Sequence, residues 1–145
     1  MSVKQISVFV ENKSGRLAEI ASILRENQID IRALTLADTT KFGILRLIVN
    51  DPEKTLQILR DAGMTVSLTS VIVIAVQDKP GGLCGALDIL SANNIDVEYM
   101  YAFISRDDTC ASVIFRVAAE ELASKLLTEN GFRLLEQEDI YQLTK

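Results

Sequence analysis

The 145-residue sequence contains no histidine and no tryptophan, only two cysteines and only two prolines. Without histidine there is no serine–histidine or cysteine–histidine nucleophile pair, no imidazole acid–base chemistry and no histidine metal ligand. Cys84 and Cys110 stand 26 residues apart with no further thiol or imidazole, which gives no metal signature and no disulfide framework. So few cysteines suit a reducing cytoplasm. Basic charge is also short: fifteen Lys and Arg stand against twenty Asp and Glu, a net charge of −5. That argues against nucleic acid or an anionic membrane as partner, since both need a basic footprint. No apolar run approaches the roughly 18–20 residues of a membrane span. The first ten residues, MSVKQISVFV, carry no long apolar stretch with a cleavage site. The expectation is a cytoplasmic protein with no cofactor and no metal, and binding is favoured over catalysis.

What is present is a repeat. The 26 residues from Ile6 align with the 26 from Ile72 at an offset of 66, ten positions being identical. They include Lys13/Lys79, Gly15/Gly81, Leu17/Leu83, Asn27/Asn93 and Asp30/Asp96. The second half of each copy aligns at an offset of 68, which predicts two extra residues near Arg106–Thr109. Such a period is too long for a solenoid and reads as a duplicated domain. The expected units are 1–69 and 70–145, joined near Thr69–Val71 without a Pro/Gly/Ser linker. The first carries nine basic and eight acidic residues, the second six and twelve.

Each copy reads β-α-β-β-α-β. Ile6, Val8 and Val10 alternate with polar or outward residues at strand period. Leu17, Ile20, Ala21 and Leu24 fall on one helical face, and Leu83, Ala86, Leu87 and Leu90 repeat the spacing. Asn27 and Asn93 are expected to end those helices in the left-handed region. Strands follow over 29–37 and 95–104, polar turns D-T-T-K and S-R-D-D lead back, and Asp51-Pro52 opens a second helix. Closing strands are expected near Met64–Leu68 and Leu134–Gln142. The fold class is α+β: two tandem ferredoxin-like units, each a four-stranded antiparallel sheet with both helices on one face.

The loops after the first strands, N-K-S-G-R-L at Asn12–Leu17 and D-K-P-G-G-L at Asp78–Leu83, carry the chemistry. Glycine removes the Cβ, so a ligand can approach the backbone. The amides that follow open a helix and have no partner inside it, which favours a carboxylate. Asn12 or Asp78 offers an acceptor for an ammonium group. The combination matches an α-amino acid head group, and equally a capped helix entered through a glycine turn. Cys84 reads as a small core or interface residue and Cys110 as a packing residue. Asp107-Asp108 and Glu120-Glu121 read as a polar turn and a helix start. Tyr99, Met100, Tyr101 and Phe103 read as sheet packing with one face open to a ligand or chain contact.

A βαββαβ unit whose first loop reads [N/D]-K-[S/P]-G-x-L resembles an ACT domain, and the resemblance covers nearly the whole chain as two copies. It implies a regulatory protein, not an enzyme, whose effector is a free amino acid held between paired units. The implied ligand residues are Asn12, Ser14, Gly15 and Leu17 in the first loop and Asp78, Pro80, Gly81, Gly82 and Leu83 in the second. Asp30 and Asp96, which start the second strands, complete the set. Ser14 and Arg16 depart from the pattern of the second copy, so the Asp78–Leu83 loop is expected to be the better site. A homodimer is expected, with a metabolic enzyme as a further partner. The alternative is an oligomerisation module or small subunit that binds no metabolite and docks on such an enzyme.

Overall fold

The alternation at Ile6, Val8 and Val10 has a direct structural consequence: all three side chains are buried on one face of strand β1 (Val3–Glu11). The computed structural model describes residues 2–11, 13–38, 41–104 and 110–143. The chain continues through α1 (Arg16–Glu26), β2 (Ile31–Asp38), β3 (Phe42–Val49), α2 (Pro52–Asp61) and β4 (Thr65–Gln77). Then come α3 (Cys84–Ala92), β5 (Val97–Ile104), β6 (Cys110–Val117), α4 (Glu120–Glu129), β7 (Arg133–Leu135) and α5 (Gln137–Leu143). The chain divides into two compact units, one of Lys4–Thr69 and one of Ser70–Lys145 with Met1–Val3.

In the Lys4–Thr69 unit β3 lies between β1 and β2, antiparallel to both. Strand β4 follows on the other side of β1, giving the order β2-β3-β1-β4. Ile6 faces Leu47 and Val8 faces Leu45, so their side chains share one sheet face. Ile20 and Leu24 of α1 and Leu59 of α2 close over that face to form the core. Both helices therefore cover the same side, as expected. Asp51 accepts from the Lys54 amide at 3.2 Å and Pro52 takes the first helical position, where its missing N–H is not needed.

The Ser70–Lys145 unit repeats the plan in the order β5-β6-β4-β7, antiparallel throughout. Ile72, Ile74 and Val76 pack with Val113 and Phe115 under Ala86 and Leu90 of α3 and Ala123 and Leu127 of α4. This is the predicted α+β class, two ferredoxin-like units with helices on one face.

Three details differ from expectation. Asn27 and Asn93 are not left-handed; their φ values are −100° and −107°. The positive φ falls one residue later, at Gln28 (59°) and Asn94 (56°). Each asparagine side-chain amide instead donates back to a carbonyl of the last turn, Ile23 at 2.8 Å, which also accepts from the Asn27 backbone amide, and Ile89 at 2.9 Å. The closing strand expected over 134–142 shrinks to Arg133–Leu135 and gives way to α5. Asp139 explains the switch: its carboxylate accepts from the Glu136 amide at 2.8 Å, the reciprocal half of a capping box, while Ile140 is buried. Cys84 is exposed and so is not a core residue, its thiol directed at Asp88 at 3.6 Å. The two polar turns, the extra residues near Arg106–Thr109 and the Asp107-Asp108 pair lie outside the described residues in whole or in part.

Candidate functional site

Each unit bends from its first strand into its first helix through one left-handed glycine. Gly15 has φ +88° and Gly81 φ +84°, a region where a Cβ is strained, and apart from the chain neighbours no atom of the described residues lies within 4 Å of where either Cβ would be. The missing side chain serves the turn and leaves open space beside it. Gly82 is different. A Cβ there would collide with the Gln77 carbonyl, so its bareness accommodates the loop's own backbone.

The amides at these loops are only partly used. Arg16 N–H donates to Lys13 at 3.3 Å and Glu19 N–H to Gly15 at 2.9 Å. Between them, the Leu17 and Ala18 amides meet no acceptor among the described residues. In the second loop Gly82 N–H donates to Lys79 at 3.0 Å and Cys84 N–H to Gly81 at 3.1 Å. The Gly81, Leu83 and Gly85 amides have no described acceptor. Among the described residues neither helix has a side-chain cap, and Asp78 does not serve as one. The loops thus hold unsatisfied donors at a positive helix end, a setting that accepts an anion.

Side chains separate the two loops. In the first, Glu11 sits 3.0 Å from Lys13 and 4.0 Å from Arg16, and Arg16 also reaches Glu19 at 3.1 Å. Lys13, by its hydrogen bond and then its charge, holds the Glu11 carboxyl below the ordinary glutamate value. Glu11 and Arg16 line a cavity of about 150 Å³ with Phe9, Phe42 and Met64. In the second loop Gln77 replaces Glu11 and Gly82 replaces Arg16. Asp78, Lys79 and Pro80 are exposed there, and neither Asp78 nor Lys79 has a described ion pair. Ser14, Gly15 and Leu17 are exposed, Leu83 is half-buried, and Asn12 lies outside the described residues.

The two aspartates also diverge. Asp30 is bound 3.1 Å from Arg32, and its amide donates to the Asn50 side chain at 2.9 Å. At the position matching Arg32 the second unit has Glu98, which pairs with Arg116 at 3.3 Å, and Asp96 stays exposed without a described partner. Within one unit the glycine loop precedes the helix and the aspartate follows it. Eleven residues of α1 put roughly 16 Å between them, too far for one small ligand to touch both. The groupings that sequence reading missed are the Glu11–Lys13–Arg16 cluster and Arg25 in the last turn of α1. The first was legible as E-x-K-x-x-R beside Q-x-K-x-x-G in the other copy. Among the described residues no group of three or more Cys, Asp or Glu could hold a metal ion.

Residues 1–144 match the profile of a family described as an ACT domain pair. The chain belongs to that family. A crystal structure of protein BT0572 from Bacteroides thetaiotaomicron superposes on this ACT domain pair with a TM-score of 0.92 at 39% identity, covering 99% of this chain and 98% of that one. The regulatory subunit of aspartate kinase from Thermus thermophilus, in its ligand-free form, gives a TM-score of 0.64 at 14% identity over 87% and 91% of the two chains. The corresponding subunit from Thermus flavus gives 0.60 at 13% over 98% and 92%. At such identities the two kinase subunits show a shared fold. No curated protein sequence matches the ACT pair. Among the described residues no helix is long and apolar enough to cross a membrane.

Proposed function

We propose that this ACT pair is a cytoplasmic amino-acid sensor, not an enzyme, and that its Asp78–Leu83 loop takes the ligand head group. The carrying observation is the set of unpaired Gly81, Leu83 and Gly85 amides beside open space at a left-handed glycine. These donors suit a carboxylate, and the exposed Asp78 suits an ammonium group. The kinase regulatory subunits that share the fold are named for control of an amino-acid-metabolising enzyme, which supports a regulatory role. The ligand acts by binding one arrangement of the protein, or of a partner enzyme's docking surface, better than another. A free amino acid of about nine heavy atoms supports affinities of roughly micromolar to millimolar.

Calorimetry against the twenty amino acids tests the reading. At least one should bind, and Gly81→Val should remove that binding while the fold remains. Silence across all twenty would leave a docking module in its place. Strands β2 and β5 end their strand orders, and an unpaired edge invites pairing with another chain. A homodimer follows from this reading, and light scattering should give twice the chain mass.

A further inference from the structure

Strand alternation turns Ile6, Val8 and Val10 toward α1 and α2 and leaves Phe9 on the other face of the Lys4–Thr69 sheet. The register sets Ile44 opposite Phe9 and Phe42 opposite Glu11, so Phe9, Phe42 and Ile44 share the face away from the helices. The two rings lie 5.0 Å apart between centroids, tilted by 41°. Phe9 is 48% exposed and Phe42 41%, and Ala37, which pairs with Ile44, is exposed beside them. Further along the same face Gln5, Ala33 and Ile48 are buried, so the opening is confined to one end. The strand pairing does not require these rings. The other unit builds the matching pairs from Ala75 with Ser112 and Gln77 with Cys110. Apolar side chains exposed singly are ordinary, whereas a contiguous aromatic patch marks a contact surface.

The surroundings of the patch are basic. Lys41 directly precedes Phe42, is exposed and has no described ion pair. Arg46 follows Ile44 on the same face. Lys13 and Arg16 stand at the other end, and the carboxylates described with them are Glu11 and Glu19. These four cations outnumber the two carboxylates. A second copy of the same face would therefore set like charges against each other, whereas an acidic surface is drawn in. The rings also wall the cavity of about 150 Å³ that Arg16 and Met64 line, and an apolar cavity of roughly that size holds a benzene-sized group.

From this arrangement we infer that the open end of the sheet face docks an acidic peptide segment of a partner protein, anchored by one aromatic or leucine-type side chain against Phe9 and Phe42. Its carboxylates face Lys41 and the positive charge of Arg46. Aromatic residues at the centre of a contact carry most of its energy, while rim charges act on encounter and on salt dependence. Loss of a ring and addition of salt are therefore separate probes of the same surface. The inference goes beyond the amino-acid reading and does not rest on it.

Calorimetry and aromatic NMR of the full chain with a short synthetic peptide of Glu and Leu, beside a copy with Lys in place of Glu, test the assignment. The acidic peptide should bind and shift the Phe9 and Phe42 ring signals. Phe9→Ala and Phe42→Cys install the residues of the other unit, so the fold should survive, and each should weaken the peptide at least about 10-fold. Lys41→Glu should weaken it too, as should raising salt from about 0.05 to 0.5 M. No binding of the acidic peptide overturns the inference, as do equal binding of the Lys copy, unmoved ring signals, or unchanged affinity in a folded Phe42→Cys. Adsorption to phosphatidylserine vesicles without peptide binding would assign the face to a membrane, and a fall in sedimenting mass in Phe42→Cys would assign it to a second copy; either overturns it. Amino-acid binding without peptide binding overturns this inference alone. Peptide binding with silence across the twenty amino acids overturns the loop reading alone.

Discussion

The two glycine loops share a backbone and differ in what surrounds it. Both turn at a φ near +85°, and both leave amides unpaired. The first is dressed with its own ions, Glu11 to Lys13 and Arg16, with Asp30 tied to Arg32 nearby in sequence to the next strand. The second exposes Asp78, Lys79 and Asp96 with no described ion pair among them. A duplicated fold thus keeps the geometry that the chain direction demands and is free to vary the charges around it. In the first unit those charges satisfy one another at the rim of a cavity of about 150 Å³, and an aliphatic cleft of about 200 Å³ lies beside Leu34. The second unit fills that volume with Leu87 and Phe115 and leaves its loop bare.

The sharpest way to break this comparison is to exchange the residue that most distinguishes the loops. Gly82→Arg would give the second loop the first loop's side chain, but its Cβ would meet the Gln77 carbonyl. Even Gly82→Ala meets backbone, which cannot swing aside as a side chain would. It should destabilise the unit by about 2–3 kcal/mol, the upper range for overpacking, read as a lower denaturant midpoint. A neutral Gly82→Ala would mean that the two loops are interchangeable after all.

Gly15→Ala and Gly81→Ala should then cost alike, since both replace glycine in the left-handed region with open space around it. About 1–2 kcal/mol each is expected. Equal costs in stability with unequal costs in ligand affinity would sharpen the division between shared turn and private chemistry. A smaller effect tests how the second unit ends. Asp139→Ala removes the acceptor for the Glu136 amide and should cost about 1 kcal/mol, with loss of α5 helicity. Unchanged amide exchange across 137–143 would show that burial of Ile140, not the cap, holds the helix.

Most of the fold was legible in the sequence because alternation, helical spacing and the repeat all report burial on a regular period. Ile6, Val8, Val10 and their copies needed no long-range information. Asp51-Pro52 announced α2 through a local bond. The misreadings came where local and tertiary signals compete. The strand expected over 134–142 stops at Leu135, because the Asp139 carboxylate reaches back to close a helical turn. Asn27 was read by its tolerance of left-handed backbone, whereas its side-chain amide found an acceptor one turn back. The site was less legible. The glycine positions were visible, but whether glycine serves a ligand or the protein's own carbonyl is decided by a contact between Gln77 and Gly82 that spacing does not reveal. The aliphatic cleft beside Ala21, Leu34 and Leu36 depends on volume, which no motif encodes.

The finest test of the comparison is protonation. Lys13 holds the Glu11 carboxyl low, first through its hydrogen bond and then through its charge, with Arg16 adding less. A folded-state value below the unfolded one means that Glu11 favours folding above the ordinary glutamate range, and that this contribution fades as pH falls through the lowered value. Lys13→Met should therefore move the Glu11 titration upward, toward the ordinary glutamate value. The titration of Glu53, lowered by its own bond to Lys4 in the same unit, should stay where it is. In the second loop Gln77 stands in place of Glu11, so Lys79 has no described carboxylate partner to hold. Carboxyl carbon NMR from about pH 2 to 7 reads each group separately. A Glu11 titration unmoved in Lys13→Met would show that the first loop's ion pair does not hold the carboxyl and that the asymmetry between the loops is not electrostatic.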